Sequence, residues 1–130
     1  MRLFFYGTLR PDADTPMARW IAARLVVAEP GEVPGRLYAV PDAQGWYPAL
    51  MPGTGRVRGM LCELQLRPGD LARLDRYEGR EYRRVALPVR TGAGRVSAQV
   101  YVWRGRLPQG RAIGPDFPEW LRSVRGMAYS

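Results

Sequence analysis

Histidine and lysine are both absent from this 130-residue sequence, and it holds a single cysteine, Cys62. Without histidine there is no Ser-His or Cys-His nucleophile pair, and most catalytic zinc sites lose their usual ligands. Any proton chemistry must come from a carboxylate, a tyrosine, an arginine or Cys62. A lone cysteine can form neither an internal disulfide nor a thiolate cluster, so the expectation is a reducing, cytoplasmic setting with no metal and no cofactor. No secretory signal pattern opens the chain, and no apolar run approaches the roughly 18 residues of a membrane helix. No membrane partner is therefore expected.

What is abundant is positive charge. All 20 basic residues are arginine, against 12 acidic ones, for a net charge of +8. Such a balance raises nucleic acid as a partner. The arginines, however, are scattered from Arg2 to Arg125, with Arg83-Arg84 the only adjacent pair. No basic block interleaves with aromatics as single-strand binders require, so nucleic acid is not expected. Arginine without lysine reads as compositional bias rather than selection for phosphate contacts. The length fits one domain, residues 1–130, able to bury its core without staples.

Along the chain, Arg2 to Tyr6 reads as a buried strand. Asp14-Thr15-Pro16 starts a helix, with a capping residue before a proline at the first helical position. Met17, Trp20, Ile21, Arg24 and Leu25 carry that helix to about Val27, and Pro30-Gly31 closes it. Val33 to Val40 reads as an edge-type strand because Pro34 has no N–H for a ladder. Pro41 to Gly55, rich in proline and glycine, reads as a long functional loop. Arg56 to Leu66 alternates as a strand, with Cys62 a small core residue. A short helix from Pro68-Gly69-Asp70 ends at Gly79. Strands over Tyr82 to Val89 and Val96 to Trp103 flank the hairpin signal "TGAGR", and Phe117 to Val124 forms a last helix. Trp20 and Trp103 read as core or interface aromatics. This order predicts an α+β fold with a small curved or barrel-like mixed sheet and flanking helices.

The stretch "LARLDRYEGREYRR" holds Asp75, Glu78 and Glu81. Gly79 should stop the helix, which puts Glu78 in its last turn, where the dipole disfavours a carboxylate and raises its proton affinity. That makes a better base, although Arg76, Arg80 and Arg83 are close enough in sequence to undo the effect. A surface Glu paired with an Arg is the structural alternative.

"FFYGTLRP" at the start, "YPAL", "VRGMLCEL", "LDRYEGREYRR" and "VYVW" follow in an order that resembles the gamma-glutamylcyclotransferase superfamily, nearest its short bacterial and gamma-glutamylamine branch. The resemblance covers roughly residues 2 to 103. It implies a small β-barrel with flanking helices and release of 5-oxoproline from a small gamma-glutamyl compound by attack of the substrate's own α-amine. By this resemblance Glu78 is the catalytic acid/base. The turn Tyr6-Gly7-Thr8-Leu9 holds the gamma-glutamyl part on main-chain N–H groups, for which a tight glycine turn is a suitable concavity. Such chemistry fits a chain without histidine, because the nucleophile belongs to the substrate.

Softer assignments follow. The hydroxyl of Tyr82 meets the substrate or is buried as a strand aromatic. Tyr47, with Pro48, walls the pocket or anchors its loop. Arg36 pairs with a carboxylate or is a solvated strand residue. Asp75 supports the turn, and Glu81 is the rival base. The Ser-Gly-Asp-Trp-like element of the family is replaced by Ile113-Gly114-Pro115-Asp116-Phe117, which bears on the leaving-amine side of the pocket. The rival function is a non-catalytic small-ligand module, favoured if Trp46 and Tyr47 block the pocket.

Overall fold

A computed structural model of the chain describes residues 1–7, 15–42 and 45–128. Five strands and three helices follow one another as β1 (Arg2–Phe5), α1 (Pro16–Ala22), β2 (Leu25–Asp42), β3 (Gly45–Leu64), α2 (Asp70–Glu78), β4 (Tyr82–Thr91), β5 (Gly94–Trp103) and α3 (Phe117–Ala128). The strands close into a barrel in the order β1-β3-β2-β4-β5. Closure comes from β1, which pairs antiparallel with β3 and parallel with β5. The other pairings are antiparallel, so the sheet is mixed and the fold is α+β, as the sequence implies.

Successive strand residues face opposite sides, and β1 buries both of its sides. Phe4 and Tyr6 face inward with Val33, Leu37, Leu50, Val57, Val89 and Val100, drawn from all five strands, and α3 adds Phe117. Leu3 and Phe5 face outward, where Cys62, Leu64 and Tyr101 meet Ile21 of α1 and Leu74 of α2. Cys62 is fully buried there.

Three expectations about the chain between 22 and 55 are overturned. Helix α1 begins as expected, with the Thr15 hydroxyl accepting from the Ala18 N–H at 3.1 Å and Pro16 following it. It ends at Ala22, not near Val27, because Leu25, Val26 and Val27 open β2. The β-branched pair prefers the pleated strand. Pro30-Gly31 does not close a helix but lies within β2, with Pro30 opposite Met60 and Gly31 opposite Gly59. The expected loop from Pro41 to Gly55 is instead the turn and first half of a long hairpin, paired from Arg36–Met51 to Asp42–Gly45. Its prolines are tolerated because, among the described residues, the second edges stay largely unpaired: that of β2 meets Arg90 of β4, at Glu32, and Ile113, at Leu37, and that of β3 meets β1 over Met60 to Glu63. A proline on an edge without ladder bonds loses none.

Leu74 fixes α2 to the outer core. Truncation by Leu74→Ala should lower the unfolding free energy by about 2–5 kcal/mol, read as a lower denaturation midpoint in urea at unchanged slope.

Candidate active site

Helix α2 starts with Asp70 in its first turn, where a carboxylate suits the dipole; it also accepts from the N–H of Arg67 and from Nε of Arg24, each at 2.9 Å. Four residues span one turn, so Leu71, Leu74, Asp75 and Glu78 share the side turned to the barrel. Gly79 ends the helix at φ 91°, a conformation that glycine adopts without strain, and its N–H bonds the Asp75 carbonyl at 3.1 Å. The chain then turns at once into β4, which brings Tyr82 in beside Glu78.

Three other segments converge on this corner. The Tyr6 hydroxyl, at the exit of β1, donates to the Tyr101 carbonyl oxygen at 2.5 Å. Next to it, Gly7 lies so close to Pro48 of β3 that a Cβ there would stand 2.5 Å from the proline Cγ. The Tyr82 hydroxyl donates to the Pro48 carbonyl oxygen. The Tyr82 ring meets Trp103 edge-on at 5.3 Å, and Tyr47 lies 6.1 Å from the same indole. The adjacent Trp46 turns the other way, onto Trp120 of α3 at 5.4 Å.

Burial, and next the charge of Asp75, push Glu78 up to about 7. The physical cause thus differs from the helix-end argument: desolvation comes first and a like charge one turn back second. Arg76, Arg80 and Arg83 are exposed and do not offset it. Tyr6 is raised far above the ordinary phenol range by burial and by Glu78, against a backbone hydrogen bond from Leu50. Tyr82 is raised likewise by burial, then by Tyr6, Glu78, Tyr47 and Glu81. Burial, its bond to Asp75 and the charges of Asp75 and Glu78 raise Tyr101. The tyrosines therefore stay neutral donors, while Glu78 alone among them changes charge near neutrality. A carboxyl so placed can take a proton and give it back.

Of the residues singled out in the sequence, Tyr6, Gly7, Tyr47, Glu78 and Tyr82 come together. Thr8 and Leu9 lie outside the described residues. Arg36 is exposed, its side chain lying against Gly53 rather than in this cluster. Glu81 is exposed and acts on Tyr82. Sequence reasoning missed Tyr101 and Arg84. They face each other across β4 and β5, a register that the separate strand patterns do not reveal. Among the described residues, no three Cys, Asp or Glu side chains gather closely enough to hold a metal. A separate hollow of about 400 Å³, with Glu32, Arg58, Arg90 and Asp116 in its lining, shares no residue with the cluster. No helix among the described residues is long and apolar enough to cross a membrane.

Solved structures share this fold. YkqA from Bacillus subtilis superposes with a TM-score of 0.71 at 21% identity, over 96% of this chain and 42% of its own, so this chain spans less than half of that protein. An AIG2-like protein from Mus musculus gives 0.63 at 20% identity, over 99% of this chain and 94% of its own. A gamma-glutamyl cyclotransferase gives 0.57 at 17% identity, over 83% of this chain and 69% of its own. These likenesses speak for the fold. No curated protein matches the sequence significantly. Residues 3–122, which include every member of the tyrosine–carboxylate cluster, match the family described as gamma-glutamyl cyclotransferase, AIG2-like, and the chain belongs to that family.

Proposed function

We propose that the protein releases 5-oxoproline from a small gamma-glutamyl amine or peptide, with Glu78 as its acid/base. The observation that carries this reading is a desolvated carboxyl poised at about 7 beside the exit of β1. Family membership supports the reaction class.

In the reaction, Glu78 takes a proton from the substrate's α-ammonium. The freed amine attacks the γ-carbonyl carbon and forms the ring C–N bond. As the tetrahedral centre collapses, the bond to the departing amine breaks and Glu78 returns the proton to that nitrogen; the ring nitrogen sheds its second proton as the lactam forms, and the freed amine takes it up as an ammonium. Two protons thus pass from the attacking to the departing nitrogen, the first by way of Glu78, and no cofactor is called on. Holding the amine against the carbonyl supplies much of the acceleration, since intramolecular closures reach effective molarities on the order of 10⁵–10⁸ M. Tyr6 and Gly7, continuing into Thr8 and Leu9, would present backbone N–H groups to the substrate. Tyr47 and Tyr82 would wall the pocket. The lone buried Cys62 suits a cytoplasmic setting.

Mass spectrometry on a panel of gamma-glutamyl dipeptides and amines tests the reading. Wild type should yield 5-oxoproline, and Glu78→Gln should cut kcat by about 10²–10⁴-fold with little change in KM. Binding without turnover in both proteins would instead identify a small-ligand module.

The same variant has a stability signature. Between the ordinary 4.5 and about 7, the unfolded chain ionises Glu78 while the folded chain keeps its proton. The native state then binds more protons, so stability falls as pH rises across this window. Relative to Glu78→Gln, wild type should lose on the order of 2–3 kcal/mol from pH 4.5 to 7, and little more once the pH has passed through the folded value. Paired urea melts across that range measure the difference.

A further inference from the structure

Asp75 and Glu78 are carboxylates three residues apart on one helix face, and their surroundings differ sharply. Asp75 accepts from Arg84 through Nε at 3.0 Å and Nη2 at 3.4 Å, and from the Tyr101 hydroxyl at 2.7 Å. The remaining arm of Arg84 donates to Gln99 at 2.7 Å, which fixes the guanidinium from a second side. Nothing among the described residues lowers the proton affinity of Glu78. Asp75 is thus held by three donor atoms on β4 and β5, whereas Glu78 is buried near Tyr6, Tyr82 and Tyr101.

We propose that Asp75 is a positioning residue: clamped by Arg84 and Tyr101, it keeps its negative charge and so assigns the shuttled proton to Glu78. This rests on the reading of Glu78 as the acid/base. When two carboxylates are close enough to feel each other, the one with donors keeps the charge and its neighbour takes the proton. Burial works against ionised Asp75, but its bonds to Arg84 and Tyr101 and the arginine charge hold it below the usual carboxylate range. The groups near Glu78 among the described residues are Asp75 on its own helix, Tyr6 at the exit of β1, Tyr82 on β4 and Tyr101 on β5. The tyrosines are neutral, so among the described residues Asp75 supplies the one fixed charge acting on it. Tyr101 also joins two parts of the site: its hydroxyl donates to Asp75 while its carbonyl accepts from Tyr6. Moving Asp75 would therefore disturb both the acid/base and the exit of β1.

Carboxyl carbon-13 NMR titration of the full-length chain tests this, with Glu78→Gln assigning the Glu78 resonance. In Asp75→Asn the Glu78 midpoint should drop from about 7 yet remain above 4.5, because burial, the larger cause, persists. In Arg84→Gln and Tyr101→Phe the Asp75 midpoint should rise, and Arg84→Lys should restore part of the first change by returning a cation without the fork. The acidic limb of the kcat profile should follow the Glu78 midpoint in each variant. An unmoved Glu78 midpoint in folded Asp75→Asn overturns the proposal. So does an unmoved Asp75 midpoint in both Arg84→Gln and Tyr101→Phe, which decides the matter should Asp75→Asn not fold. Absence of 5-oxoproline from wild type would overturn the enzymatic reading separately, since the titrations need no turnover.

Discussion

The barrel exists because β1 is bonded along both edges, antiparallel to β3 and parallel to β5. Only four residues perform this closure, and the three after Arg2 are apolar and buried, filling both faces of the strand. Phe4 enters the interior, while Leu3 and Phe5 give α1 and α2 an apolar surface to cover. The exit of the same strand then carries Tyr6 inward and sets Gly7 against Pro48. Closure, helix docking and placement of the candidate site are thus consequences of one short pairing.

Around that exit the molecule separates charge from proton. One helix presents two carboxylates to the barrel, and among the described residues the sheet supplies donors to the first alone. The second is left to desolvation, which favours its neutral form, and to neighbours whose phenolic protons are firmly held. A site assembled this way needs no imidazole to work near neutrality. On the proposed reading, the raised carboxyl does the work that a histidine does elsewhere.

The parts of this arrangement legible in the sequence are those written locally. Thr15-Pro16 marks a helix start, Gly79 a helix end, and "TGAGR" a hairpin, because cap and turn chemistry act over a few residues. The alternation around Cys62 identifies a strand and its buried face. The β2–β3 hairpin is not legible, because proline and glycine report local backbone freedom and say nothing of which edges stay unpaired. Tyr101 and Arg84 escape notice for a related reason: their meeting with Asp75 depends on the β4–β5 register and on where α2 docks. Glu78 is singled out by the family resemblance together with its place at the helix end, yet what raises its proton affinity is burial, a tertiary property.

The proline content of the long ribbon has a bearing on how the molecule behaves in company. An extended two-stranded arm with open edges is a template on which another chain could lay a strand, the first step of fibrous association. Pro30, Pro34 and Pro41 on one strand and Pro48 and Pro52 on the other interrupt the run of amide donors that a docking strand would need. The residues that make the ribbon look like a loop in the sequence also guard its open edges against such association.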